Sequence, residues 1–167
     1  MKSKDKDKLE EYKPKITPKP RFSAALTRVH IELLRPKGFD LIKYLSPGYG
    51  MYAFVRPRST RLLEGIGVVS GLVPRAFRVE LGVFPLDGRF FRGALFQKGR
   101  WRELGLRVSL GQILRPDDST LTPEQRDFFS YRDQSTLVTQ LRKAISQALD
   151  HGPSVWEQLE QALIAEA

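Results

Sequence analysis

The chain has 167 residues, 41% hydrophobic and 28% charged, with a net charge of +9 and no cysteine. Those values fit one globular domain plus an appendage, with enough apolar mass for a core. The missing cysteine excludes disulfides, thiolate metal sites and thiol nucleophiles, and fits a reducing cytoplasm. No apolar run approaches the roughly 18 residues of a membrane span, and no hydrophobic segment follows the first lysines as in a secretory signal. A cytoplasmic protein with no membrane partner is the expectation.

The charge is unevenly spread. Residues 1–21 carry eight Lys/Arg against four Asp/Glu, residues 22–116 sixteen against six, and residues 117–167 four against nine. The middle is therefore +10 and the C-terminal part −5. Such asymmetry points to a basic surface for a polyanion or an acidic protein, or serves solubility alone.

Residues 1–22 read as a basic, disordered or extended arm. It holds Lys2, Lys4, Lys6, Lys8, Lys13, Lys15 and Lys19, and the extended "KPKITPKP", with too few apolar residues to offset chain entropy. A single domain is expected over 23–167. Ser23 fits an N-cap, and Leu26, Val29, Leu33 and Leu34 recur at helical spacing until Pro36 and Gly38 end the helix. His30 falls on the flank of that apolar stripe, the place of a hydrogen-bonded structural histidine.

Strands follow. Phe39, Leu41, Lys43 and Leu45 alternate with Asp40, Ile42 and Tyr44, then "SPGYG" turns into "MYAFV" and "PRST" into "LLEGIGVVSG". Phe77, Val79, Leu81 and Val83 point one way, Arg78 and Glu80 the other. "PLDG" predicts a hairpin, with a return strand through "FFRGALF" and a last strand in "WRELGLRVSLG". Strands so close, with no helix between them, predict an antiparallel meander.

After Pro116 the helical period returns. Thr122-Pro123-Glu124-Gln125 predicts a capping box and a short helix through Phe128 and Phe129. Leu137, Leu141, Ala144, Ile145, Ala148 and Leu149 predict an amphipathic helix stopped by Gly152-Pro153. Ser154 and Glu157 then cap a final helix through Trp156, Leu159 and Leu163. The fold class is α+β: an N-terminal helix, an antiparallel sheet of about five or six strands, and C-terminal helices packed on one face. The other face is left for solvent or a partner.

"LLRPKGFD", "RVELGVFP" and "LVTQLRKAISQALDHGPSVWEQL" carry a resemblance over residues 24–163. In them the chain resembles a family of small bacterial helix–sheet–helix proteins of unknown function, some encoded among the immunity genes of toxin systems. The resemblance implies this fold and a binding role, and supplies no catalytic residues.

No catalytic constellation assembles from the sequence, and neither a metal nor a cofactor is expected. The two histidines, His30 and His151, stand apart, and zinc-ligand and P-loop spacings are missing. Glu64, Glu80, Asp87 and Glu103 lie on or beside strands, where a metal-dependent nuclease would need carboxylates to converge. Pairing with arginines across strands is the alternative.

Binding has more support. Arg78 and Arg107 are expected on the outer face, with Arg89 and Arg92 at or near the hairpin. Arg56, Arg58 and Arg61 crowd one connection, while Lys98, Arg100 and Arg102 surround Trp101 in another. Guanidinium forks hold phosphate or carboxylate bidentately, and nearby aromatics stack bases or pack peptides. Two partners follow: nucleic acid gripped by sheet face, loops and arm, or an acidic protein docked on an anchor such as Trp101 or Tyr131.

Overall fold

The computed structural model describes residues 20–46, 49–85, 106–116 and 119–166. The lysines of the arm, the expected hairpin and return strand, Asp87, Arg89, Arg92, Lys98, Arg100, Trp101, Arg102 and Glu103 lie outside the described residues.

Helix α1 (Phe22–Val29) starts one residue before the expected cap. Ser23 sits inside the first turn and its carbonyl accepts from Thr27 Oγ1 at 2.8 Å. The start is fixed instead by Gln134, whose amide accepts from Arg21 N at 2.7 Å and donates to its carbonyl. Phe22, placed in the arm on sequence, belongs to the fold. Its ring lies 6.0 Å from Tyr52 and 5.9 Å from Phe77.

A π-helical turn (His30–Leu34) and a 3₁₀ turn (Arg35–Lys37) finish this helix before Gly38, whose φ of 82° favours glycine. His30 is buried, donates through Nε2 to the Phe39 carbonyl at 2.9 Å and packs on Phe54. It is the structural histidine that the sequence suggests.

The sheet consists of β1 (Asp40–Ser46), β2 (Tyr49–Pro57), β3 (Leu62–Ser70), β4 (Ala76–Pro85), β5 (Leu106–Ser109) and β6 (Phe128–Ser130). The first four form an antiparallel meander in order. The second edge of β4 is shared, with β5 along Glu80–Val83 and β6 along Ala76–Arg78. Phe128 and Phe129 are thus strand residues, not the end of a helix. The capping box does form, with Gln125 N donating to Thr122 Oγ1 and Thr122 N to Gln125 Oε1, but α3 (Pro123–Asp127) ends first. Phe129 pairs with Phe77 and stacks on it at 5.5 Å, a contact that outweighs helical continuation.

One sheet face carries Tyr52, Phe54, Ile66, Val68, Phe77, Val79, Leu81 and Val83 into the core. Against it packs α4 (Gln134–Glu166), through Leu137, Leu141, Ala144, Ile145 and Ala148, all buried. This helix does not stop at Gly152-Pro153. It continues with Pro153 inside, although the proline removes a backbone donor at a cost of about 3 kcal/mol. Trp156 explains the continuation: its indole is buried, lies 5.9 Å from Phe39 and donates to the Gly65 carbonyl at 3.2 Å. Gly152 is there for close packing, since a Cβ would meet the Trp156 ring at 2.5 Å. Helix propensity alone would make Gly152→Ala stabilising by about 1 kcal/mol. The expected outcome is the opposite, a loss of about 1–3 kcal/mol from overpacking, read as a lower denaturation midpoint.

The second sheet face departs from the expected open, arginine-crowded surface. Met51, Ala53, Val55, Val69 and Phe84 lie on it and are buried. The Phe84 ring lies across Gly82 and Gly65. Among the arginines expected there, Arg78 and Arg107 do reach it, beside Glu80.

Asp133 caps α4, a signal not drawn from the sequence: its Oδ1 accepts from Thr136 N at 2.8 Å, and Asp133 N donates back to Thr136 Oγ1. The bond from the Thr136 amide, with the Thr136 hydroxyl beside the carboxylate adding to it, holds the Asp133 carboxyl below the usual aspartate range. A depressed pKa contributes stability above the unfolded value and loses it as pH falls through the folded one. Asp133→Asn should therefore flatten the acid limb of the stability–pH curve, measured by thermal melts across that range.

Candidate functional site

Five of the sequence-predicted binding arginines fall among the described residues, and the fold uses four of them internally. Arg56 is on the helix-packed face, donating through Nε to Glu64 Oε1 at 2.7 Å and through Nη1 to the Lys37 carbonyl. Its guanidinium lies 4.4 Å from the Phe39 ring centroid. Arg58 donates to Glu64 at 3.1 Å, Glu157 at 2.7 Å and Glu160 at 2.5 Å. Burial opposes the Arg58 charge, but the bonds to Glu160 and Glu64 outweigh it and raise its pKa above the usual arginine value. Arg78 and Arg107 share the Glu80 carboxylate, each at 2.9 Å. Burial lowers the Arg107 pKa, Glu80 opposes that shift and Arg78 adds to it. Arg61 is exposed in the β2–β3 turn, where its amide donates to Ser59 Oγ.

The carboxylates follow from the same register. Glu64 stands opposite Val83 on the core face, whereas Glu80 stands opposite Gly67 on the other. A sheet separates them, so they do not converge on one ion, and arginines complement both. Among the described residues no group of three His, Asp or Glu is placed to hold a metal. Tyr131, a candidate anchor, packs on Phe22 and Phe77 at 6.4 Å.

Cations that pair with no carboxylate among the described residues are found elsewhere, in a cleft of about 720 Å³ between β6, helix α2 (Leu110–Leu114) with the residues after it, and α4. That volume is in the range of small-ligand sites. Gln140, Lys143 and Gln147 line it from α4. Their spacing of three and four residues puts them on one helix face, about 10 Å from end to end. Opposite stand Arg115, Gln125 and Ser130, with Leu121 and the two β6 phenylalanines as the apolar wall.

Arg115 is preset. Its Nη2 donates to the Arg126 carbonyl at 2.7 Å and its guanidinium lies 5.5 Å from the Phe129 ring centroid. Among the described residues neither Arg115 nor Lys143 pairs with a carboxylate, and no described lining residue is acidic. Gln147 Oε1 is buried with no hydrogen-bond partner. Arg75, between the lining residues Val73 and Ala76, has φ of 51° and donates to the Arg132 carbonyl. A left-handed non-glycine residue costs about 1–2 kcal/mol, and such positions cluster at functional sites.

Sequence reasoning misses this cleft because its cations are scattered. Arg115 and Lys143 each look unremarkable in the chain, one beside Pro116 and the other in a helix of mixed charge. The packing of α2 and α4 against β4 brings them to one site.

Comparison of the chain with protein-family models, curated proteins and solved structures finds no match.

Proposed function

We propose that this is a non-catalytic binding protein for a polyanion, with nucleic acid as the partner. The observation that carries the reading is the cleft: two cations that pair with no carboxylate among the described residues, one of them preset. Guanidinium and ammonium groups so placed accept phosphate. The net charge of +9 supplies long-range attraction. Arg56, Arg58, Arg78 and Arg107 have structural roles here, so substituting them should lower stability more than intrinsic affinity.

Anisotropy titration of a labelled single-stranded oligonucleotide at increasing salt tests this. Log affinity should fall linearly with log salt, and Arg115→Ala with Lys143→Ala should make the slope shallower by about 1.4, about 0.7 for each phosphate that is no longer neutralised. Arg75→Gly should weaken binding while leaving stability unchanged or higher. No binding at low salt, or a slope indifferent to Arg115 and Lys143, rejects the reading. A protein that stays bound stoichiometrically through nuclease and high salt would point to an accessory or immunity-type module instead.

A further inference from the structure

The second sheet face is built as an interior surface. Strands with one face in water alternate apolar and polar residues, whereas strands buried on both faces read as unbroken apolar runs. The central strands here are of the second kind, with Met51-Tyr52-Ala53-Phe54-Val55 in β2 and Ile66-Gly67-Val68-Val69 in β3. Register sets Met51, Ala53 and Val55 beside Val69, Gly67 and Gly65 on this face, with Gly82 and Phe84 of β4 next to them. Met51 is 3% exposed, Val55 4%, Val69 2% and Phe84 6%. Neighbours within one sheet cannot exclude water so fully from side chains that stand on its surface. Yet among the described residues the apolar side chains of the helices join the core on the opposite face.

We infer that the cover is residues 86–105, the connection from β4 to β5, packed across this face through its own apolar side chains. The first reason is where the connection begins and ends. It leaves β4 directly after Phe84-Pro85 and returns at Leu106, which pairs with Val83. Strands so paired need a link of only two to five residues, and this one is several times longer. Carried out and back at ~3.3 Å per residue it reaches about 30 Å, twice the ~14 Å from β4 to β1.

The second reason is chemistry. The connection brings Phe90, Phe91, Leu95, Phe96, Trp101 and Leu104 to an apolar face. The other long segment, residues 1–19, carries seven lysines and few apolar side chains. Its charge would meet Arg78 and Arg107, two guanidinium groups that share the single Glu80 carboxylate on this face. The inference stands apart from the nucleic-acid reading, except that a covered face is closed to the polyanion.

The chain has no cysteine, so Val55→Cys in the full-length protein places a single reporter thiol on the face. It should react with maleimide at least about a hundredfold more slowly than in denaturant. Replacing 86–105 by Asn-Gly leaves a short turn between Val83 and Leu106 and should bring the rate within about tenfold of the denatured one. Phe90→Ser with Leu95→Ser gives the same reading in an intact chain, whether or not the shortened protein folds. Labelling should then quicken about tenfold or more while thermal melting stays cooperative. Removing residues 1–19, or diluting the protein, should leave the rate unchanged. Fast labelling of the folded full-length protein would mean an open face and overturns the inference. Protection lost with the arm assigns the cover to the arm, and protection lost on dilution as a dimer dissociates in sedimentation assigns it to a second copy. Either result overturns the inference, as does protection that survives the serine substitutions.

Discussion

Glu64→Ala should cost about 3–5 kcal/mol of stability, enough to lower the melting temperature by on the order of 10 °C. The Glu64 side chain is 8% exposed and accepts from two guanidinium groups, Arg56 on one oxygen and Arg58 on the other. With alanine, Arg58 keeps Glu157 and Glu160, but Arg56 keeps only the Lys37 carbonyl and the faces of Phe39 and Trp156. A partly buried cation is then left without a counter-charge, the situation in which breaking a pair costs most. A cycle with Arg56→Ala should recover part of the loss, giving a coupling of about 1–3 kcal/mol. Denaturant titration separates the outcomes, since the midpoint should move and the slope should not. A loss below about 1 kcal/mol would show that Glu64 behaves like a surface pair.

The same network explains a sequence property that reads differently in the fold. The +10 middle and −5 C-terminal part of the chain suggest an external partner for the basic segment. Part of that partner is the chain itself: Glu157 and Glu160 of α4 close onto Arg58. Composition counts charges but cannot pair them across a hundred residues. The meander, by contrast, is legible because it is local: alternation in Phe77–Val83 and breakers between short runs need no distant information.

The misreadings share a cause. Gly152-Pro153 and Phe128-Phe129 are assigned from local propensity, and in both places a distant aromatic decides the matter, Trp156 against Gly65 and Phe39 in one case and Phe77 beneath Phe129 in the other. The cleft is invisible in the sequence for the same reason. Its charge depends on which cations fail to find carboxylates, and pairing is known only once the register is.

Gly111→Ala is the second large effect, and it links stability to the cleft. Alanine is ordinarily the better helix residue by about 1 kcal/mol. At Gly111 an added Cβ would overlap the Arg126 carbonyl oxygen and stand 2.8 Å from the Asp127 Cα. These are backbone atoms at the entry to β6, so no side-chain rotation relieves the overlap, and α2 must move away from α3. A loss of about 2–3 kcal/mol is expected, toward the upper end of overpacking costs. The same carbonyl accepts from Arg115 Nη2, and Ser109 Oγ ties Asp127 to the strand before α2. Displacing Arg126 therefore releases the guanidinium that the cleft depends on. Gly152→Ala is the control, because it also overpacks a buried glycine, one about 8 Å further along α4 than Gln147, but does so against Trp156. With both variants assayed where they remain folded, Gly111→Ala should weaken oligonucleotide binding and Gly152→Ala should not. Equal losses would mean that binding follows global stability, and a Gly111→Ala protein as stable as the parent would show that the α2–α3 packing can open without cost.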